Sequence, residues 1–148
     1  MSELKEQIVR CAKCRTNNRV MASSSKTPVC GKCRSPLTPS RGEPVTITDA
    51  NFGSMVEASS VPVLLDMWAA WCGPCRMIAP TINHLAAELA GRVLVGKMDV
   101  DANPNTSQRF RVQSIPTLLV FKEGREVDRI VGLQSKEAII RRLQPFLK

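Results

Sequence analysis

Apolar residues fall into short runs and helical spacings that alternate along most of the chain. Val63-Leu64-Leu65-Asp66-Met67-Trp68 is apolar except for one carboxylate, the mark of a strand buried on both faces, here placed over 61–68. After it, Ile78, Ile82, Leu85, Ala86 and Leu89 recur at helical spacing, and Pro80 inside that helix predicts a kink. Upstream, Val45-Thr46-Ile47 reads as a short strand. Thr48 or Asp49 then caps a helix carrying Phe52, Met55 and Val56 on one face. Downstream come a strand over 92–100, a short helix from Pro104 through Phe110, and strands over 118–121 and 126–131 joined by Glu123-Gly124-Arg125. A last helix turns Ile139, Ile140, Leu143 and Leu147 inward. Strands alternating with helices and then a hairpin predict an α/β fold, a mixed sheet covered by helices on both faces, with the strand order left open.

The first 45 residues read differently. Ile8, Val9, Val20, Met21, Val29 and Leu37 are too few apolar residues to support a fold this short without a metal or crosslink. Residues 35–42, rich in proline and small polar residues, read as a linker, which divides the chain into a small module over 1–41 and a domain over 42–148. With 148 residues and 43% apolar, the larger part has enough material for a core. No apolar run approaches the ~20 residues that span a bilayer. The polar start, Met1 to Glu6, lacks the apolar stretch of a signal peptide, so a cytoplasmic protein is expected. In that compartment paired cysteines are more often catalytic or metal-bound than structural disulfides.

The small module carries four cysteines, Cys11 and Cys14, then Cys30 and Cys33, two C-x-x-C pairs fifteen residues apart. This spacing matches a zinc ribbon in which each pair forms a knuckle and the intervening residues form a hairpin. Gly31 suits the turn of the second knuckle, and Lys13 and Lys32 offset thiolate charge. Four thiolates leave no open coordination position, so the expected ion is structural; disulfides and a rubredoxin-like iron are the competing readings. Oxidation of these thiols, releasing zinc, would make the module a redox sensor. The net charge of +8 concentrates here, nine Lys and Arg against three Glu in residues 1–45. Zinc-bound thiolates reduce that excess to about +4, and the module has no aromatic ring to stack on bases, so nucleic acid is not the expected partner.

The richest chemistry lies in Trp71-Cys72-Gly73-Pro74-Cys75, between the strand and the long helix. Two cysteines one helical turn apart are close enough to form a disulfide. The positive end of the helix lowers a cysteine pKa, so Cys72 is the expected nucleophile and Cys75 the resolving thiol. Pro74 suits a first helical turn, and Gly73 leaves the Cys72 sulfur uncrowded. Half of a metal site, or two core cysteines, is the plainer alternative. Asp66, in an apolar strand, should have its pKa raised by desolvation and can accept the Cys75 proton. His84, the sole histidine, has no nucleophile beside it in the motif and reads as a surface residue, while Trp68 reads as packing behind the site.

Trp71 to Cys75, Asp66 six positions before Cys72 and Ser114-Ile115-Pro116-Thr117 together resemble the thioredoxin family over roughly residues 43 to 148. The first forty residues resemble the zinc-binding extension of the thioredoxin 2 type. The resemblance implies five strands and four helices. It implies that Lys97 pairs with Asp66, and that the Ile115-Pro116 bond is cis and faces the cysteines. An extended polypeptide then docks by strand-like hydrogen bonds on a mildly apolar surface of Trp71, Gly73, Pro74, Ile115, Pro116 and Gly132. Met67 stands where Phe is usual and Arg76 where Lys is common; both keep the residue class.

The expected function is therefore a monomeric protein-disulfide reductase cycling through a Cys72–Cys75 disulfide. It would act on disulfide-containing proteins and, as the resemblance implies, be re-reduced by an NADPH-dependent thioredoxin reductase, with one zinc ion and no bound organic cofactor. An oxidase or isomerase fits the Gly73-Pro74 dipeptide less well. The non-enzymatic alternative is a zinc-dependent binding or chaperone module on the same scaffold.

Overall fold

The computed structural model describes residues 6–11, 13–21, 28–35, 37 and 42–147. Strands β1 (Glu6–Arg10) and β2 (Asn17–Met21) pair antiparallel as a sheet of their own. A hairpin forms around the first cysteine pair; the one expected between the two pairs would turn through residues 22–27, which lie outside the described residues. The first knuckle is itself the reversal that joins these two strands. Most of the proposed linker, Pro36 and residues 38–41, lies outside the described residues.

The second sheet contains β3 (Val45–Thr46), β4 (Val63–Trp68), β5 (Leu94–Asp99), β6 (Thr117–Lys122) and β7 (Arg125–Val131), in the order β3-β5-β4-β6-β7. The first three run parallel, and β6 and β7 continue antiparallel, which is the mixed sheet that the pattern predicted. Helices α1 (Gly73–Glu88), α2 (Pro104–Arg109) and α3 (Lys136–Leu143) cover it with a π-helical segment, Gly53–Glu57. In that segment the Ala58 N–H bonds the Gly53 carbonyl five residues back. Helix α1 runs through Pro80, which lies on its exposed side.

Side-chain parity splits the core. Leu64, Val95, Leu118, Val120 and Ile130 meet Ile78, Ile82 and Leu85 of α1 and Ile139 and Leu143 of α3. Val63, Leu65, Met67, Met98, Leu119 and Phe121 face Ile47, Phe52 and Val56. Central strand β4 is therefore buried on both faces, as a run apolar but for Asp66 required. Asp66 shares the parity of Leu64 and so lies on the face covered by α1. Gly96 sits where β5 passes under Ile47: a Cβ there would lie 2.7 Å from Ile47 Cγ1. The turn between β6 and β7 needs only two residues, Glu123 and Gly124, both with positive φ (54° and 80°), so Arg125 belongs to β7.

Thr48, not Asp49, caps the segment after β3, its hydroxyl accepting from the Asn51 N–H at 3.2 Å while Asn51 Oδ1 accepts from the Thr48 N–H at 2.7 Å. Asp49 reaches across to the start of α2. Its carboxylate accepts from Thr106 N–H (2.9 Å), Thr106 Oγ1 (2.7 Å) and Asn105 N–H (3.2 Å), which holds its pKa below the usual range.

Candidate active site and metal centre

Helix α1 starts where β4 leaves the sheet, so the chain turns at its C-terminal edge through Trp71 and Cys72. Cys72 is the N-cap in extended conformation (φ −86°, ψ 112°), and its Sγ accepts the Cys75 N–H at 3.2 Å. Pro74 occupies the first turn, where its missing N–H loses no bond. Cys72 and Cys75 are joined as a disulfide, with Cα atoms 5.2 Å apart. Both are buried, packed with Ala69 and bordered by Trp68, Val100 and Ile115. A Cβ on Gly73 would meet nothing within 4 Å, so the surface beside the outer sulfur is open.

The Ile115-Pro116 bond is cis, and the Ile115 carbonyl oxygen lies 3.7 Å from Cys72 Sγ. The Pro116 carbonyl accepts the N–H of Gly132 at 2.8 Å, which brings Gly132 to the same rim. Trp71 is 69% exposed, yet its indole N–H donates to Asp101 Oδ2 at 2.8 Å. Sequence reading missed Asp101; the signal was an indole N–H in want of an acceptor, with an acidic loop following β5.

Asp66 is 1% exposed, and neither carboxylate oxygen has a hydrogen-bond partner. Burial pushes its pKa up to about 6, against the opposing pull of the Lys97 charge. Lys97 is its register partner on β5, with Nζ 4.8 Å from the centroid of the Trp68 ring. Trp68 packs behind the cysteines, and His84 is exposed on α1.

The thioredoxin family model matches residues 43–145. The chain belongs to the thioredoxin family. It is 50% identical over 99 residues to a thioredoxin of Mycobacterium bovis, covering 67% of this chain and 85% of the relative. To thioredoxins of Mycolicibacterium smegmatis and Staphylococcus aureus it is 50% identical over 105 and 103 residues, 70% of this chain and 94% and 97% of theirs. Thioredoxin family proteins are thiol–disulfide oxidoreductases, and this chain is an enzyme of that kind. No helix among the described residues is long and apolar enough to cross a membrane.

Ahead of the thioredoxin domain, Cys11, Cys14, Cys30 and Cys33 place their Sγ atoms within 4.8 Å of one another, a set that could hold a metal ion. Cross-knuckle pairs Cys11–Cys33 and Cys14–Cys30 are each 3.5 Å apart. A tetrahedral ion with sulfur at ~2.3 Å needs sulfurs about 3.8 Å apart, so the cluster fits. Hydroxyls of Thr16 and Ser35 lie 3.2 and 3.3 Å from the sulfurs of Cys14 and Cys33. The Cys33 backbone N–H is the largest influence holding Cys30 down at about 6, and the Ser35 hydroxyl lowers Cys33. At Cys11 the Cys14 N–H pulls the pKa down, but burial and neighbouring thiols outweigh it and raise the thiol. Asn18, absent from the sequence reading, bridges the knuckles: its amide donates to the Thr16 carbonyl at 2.9 Å and accepts the Gly31 N–H at 2.9 Å.

Proposed function

We propose that this chain is a protein-disulfide reductase of the thioredoxin 2 type, with a zinc module over residues 1–41 and a thioredoxin domain over 42–148. The observation that carries the reading is the Cys72–Cys75 bond at the head of α1, with the Cys75 N–H on Cys72 Sγ. In the reduced protein that N–H and the positive end of the helix favour a Cys72 thiolate. The thiolate attacks a client disulfide; a Cys72–client bond forms, the client bond breaks and one client sulfur leaves. Cys75 gives its proton to Asp66 and attacks Cys72 Sγ, so the internal disulfide forms and the second client sulfur is released. The client gains the two electrons that the cysteine pair loses. Asp66 suits the proton's destination because a pKa of about 6 leaves it mostly ionised yet basic near neutrality. Lys97 tunes that carboxylate by its charge.

Trp71, Gly73, Pro74, Ile115, Pro116 and Gly132 form the docking surface for an extended client segment, which bonds the backbone at residue 115. An NADPH-dependent thioredoxin reductase returns the electrons in the cytoplasm, and the protein works as a monomer. Cys11, Cys14, Cys30 and Cys33 hold zinc, which supplies a structural crosslink and has no open position for substrate.

Insulin-disulfide reduction with NADPH and thioredoxin reductase tests the reading. The wild type should turn over, while Cys75→Ser should stall as a mixed disulfide through Cys72. A wild type without turnover, or a Cys75→Ser variant as fast as the wild type, rejects it. Zinc should appear at one ion per chain in metal analysis of anaerobically purified protein.

A further inference from the structure

The two knuckles repeat one pattern, Cys-x-Lys-Cys-Arg followed by Thr or Ser, over residues 11–16 and 30–35. Their backbones repeat it too. The Cys11 N–H donates to the Thr16 carbonyl (2.9 Å) and the Arg15 N–H to the Cys11 carbonyl (2.8 Å). The Cys30 N–H donates to the Ser35 carbonyl (2.8 Å) and the Arg34 N–H to the Cys30 carbonyl (2.9 Å). Arg15 and Arg34 close these turns with φ of 64° and 65°, left-handed backbone that glycine adopts at lower cost. Glycine takes such positions at Gly42, Gly91, Gly124 and Gly132, and Arg111 and Glu123 take two in isolated turns. The knuckles place the same cation at equivalent strained positions twice, which points to a use for the side chain.

Lys13, Arg15, Lys32 and Arg34 are all exposed, and each is the chain neighbour of a cysteine of the one sulfur cluster. None has a carboxylate partner among the described residues. On the thioredoxin domain, by contrast, Arg109, Arg129, Lys136 and Arg142 each hold a carboxylate at 2.6 to 3.2 Å. Arg15 borders clefts shared with Glu57 and Glu123 but bonds neither, and Glu57 is taken by Arg109. A divalent ion on four thiolates carries two net negative charges, which two cations balance; the knuckles present four.

We infer that the two knuckles form a cationic docking patch that selects disulfide clients carrying an acidic polypeptide segment. This rests on the reductase reading and adds the class of client to it. Arginine at 15 and 34 offers a planar fork that grips a carboxylate through two N–H groups, which glycine cannot do. The knuckles have no aromatic ring for base stacking, which favours carboxylates over nucleic acid.

The test uses three peptides with one disulfide loop and acidic, neutral or basic flanks, reduced by the full chain with zinc bound. At low ionic strength the wild type should favour the acidic over the basic peptide by about tenfold in kcat/KM, expressed in KM. Salt at about 0.5 M should erase most of the preference. Arg15→Gly/Arg34→Gly, which relieves the backbone, and Lys13→Gln/Lys32→Gln should each narrow the preference while retaining zinc. An equal preference in both double variants, or none in the wild type, overturns the inference; so does retention of duplex oligonucleotide without discrimination among peptides. No turnover of the neutral peptide by the wild type would instead remove the reductase reading beneath it.

Discussion

Asp66 and Lys97 are register partners on adjacent strands, yet no hydrogen bond joins them: the carboxylate is unpartnered and the amine lies over Trp68. The fold therefore keeps a desolvated acid that its nearest cation only partly relieves. Moving an aspartate from 3.8 to about 6 disfavours its ionised form by about 3 kcal/mol. The sign follows from proton binding. Between pH 4 and 6 the folded state holds a proton that the unfolded state has lost, so stability falls as pH rises through that window and stays reduced above it. Asp66→Ala should consequently be more stable than the wild type by about 1–2 kcal/mol at pH 8, after the lost packing is counted, and should lose that advantage below pH 4. Denaturant unfolding at both pH values checks this.

Lys97→Gln removes the charge that lowers the Asp66 pKa. The pH dependence of resolution, followed as decay of a mixed disulfide after rapid mixing, should move to higher pH. Lys97→Arg should keep the wild-type profile. A profile unmoved in Lys97→Gln would mean that Lys97 does not reach the carboxylate.

Gly96→Ala should destabilise the domain by about 1–3 kcal/mol, because the new methyl collides with Ile47 in a close-packed core. Thermal unfolding reads the effect. Gly73→Ala, where a Cβ meets nothing, provides the contrast in stability.

Asn18→Ala cuts the bridge between the knuckles while leaving all four cysteines. Zinc affinity, measured by competition with a chromogenic chelator, should fall by about 10- to 100-fold, the usual scale for residues that orient ligands. Asn18→Asp should lose less, since its carboxylate still accepts the Gly31 N–H.

The redox centre was legible because its parts are adjacent in the chain: a strand, a cysteine pair and the helix after it. The larger sheet was legible because β4 and β6 are buried on both faces and are apolar along most of their length, Asp66 being the one charge inside β4. What escaped reading were contacts between segments far apart in sequence. Asp101 lies thirty positions from Trp71, and Asp49 lies more than fifty from Thr106. Each is an ordinary loop acid until the fold brings its donor close. In the module, so few apolar residues left periodicity without a strand signal, and knuckle geometry joins β1 to β2.

Asp49 bears on how the protein can be shortened. Strand β3 is only two residues long, and the carboxylate just beyond it fastens the start of α2. Trimming the amino terminus to isolate the redox half should therefore stop ahead of Val45. A cut beyond Asp49 would strip one sheet edge and unfasten a helix on a different part of the surface.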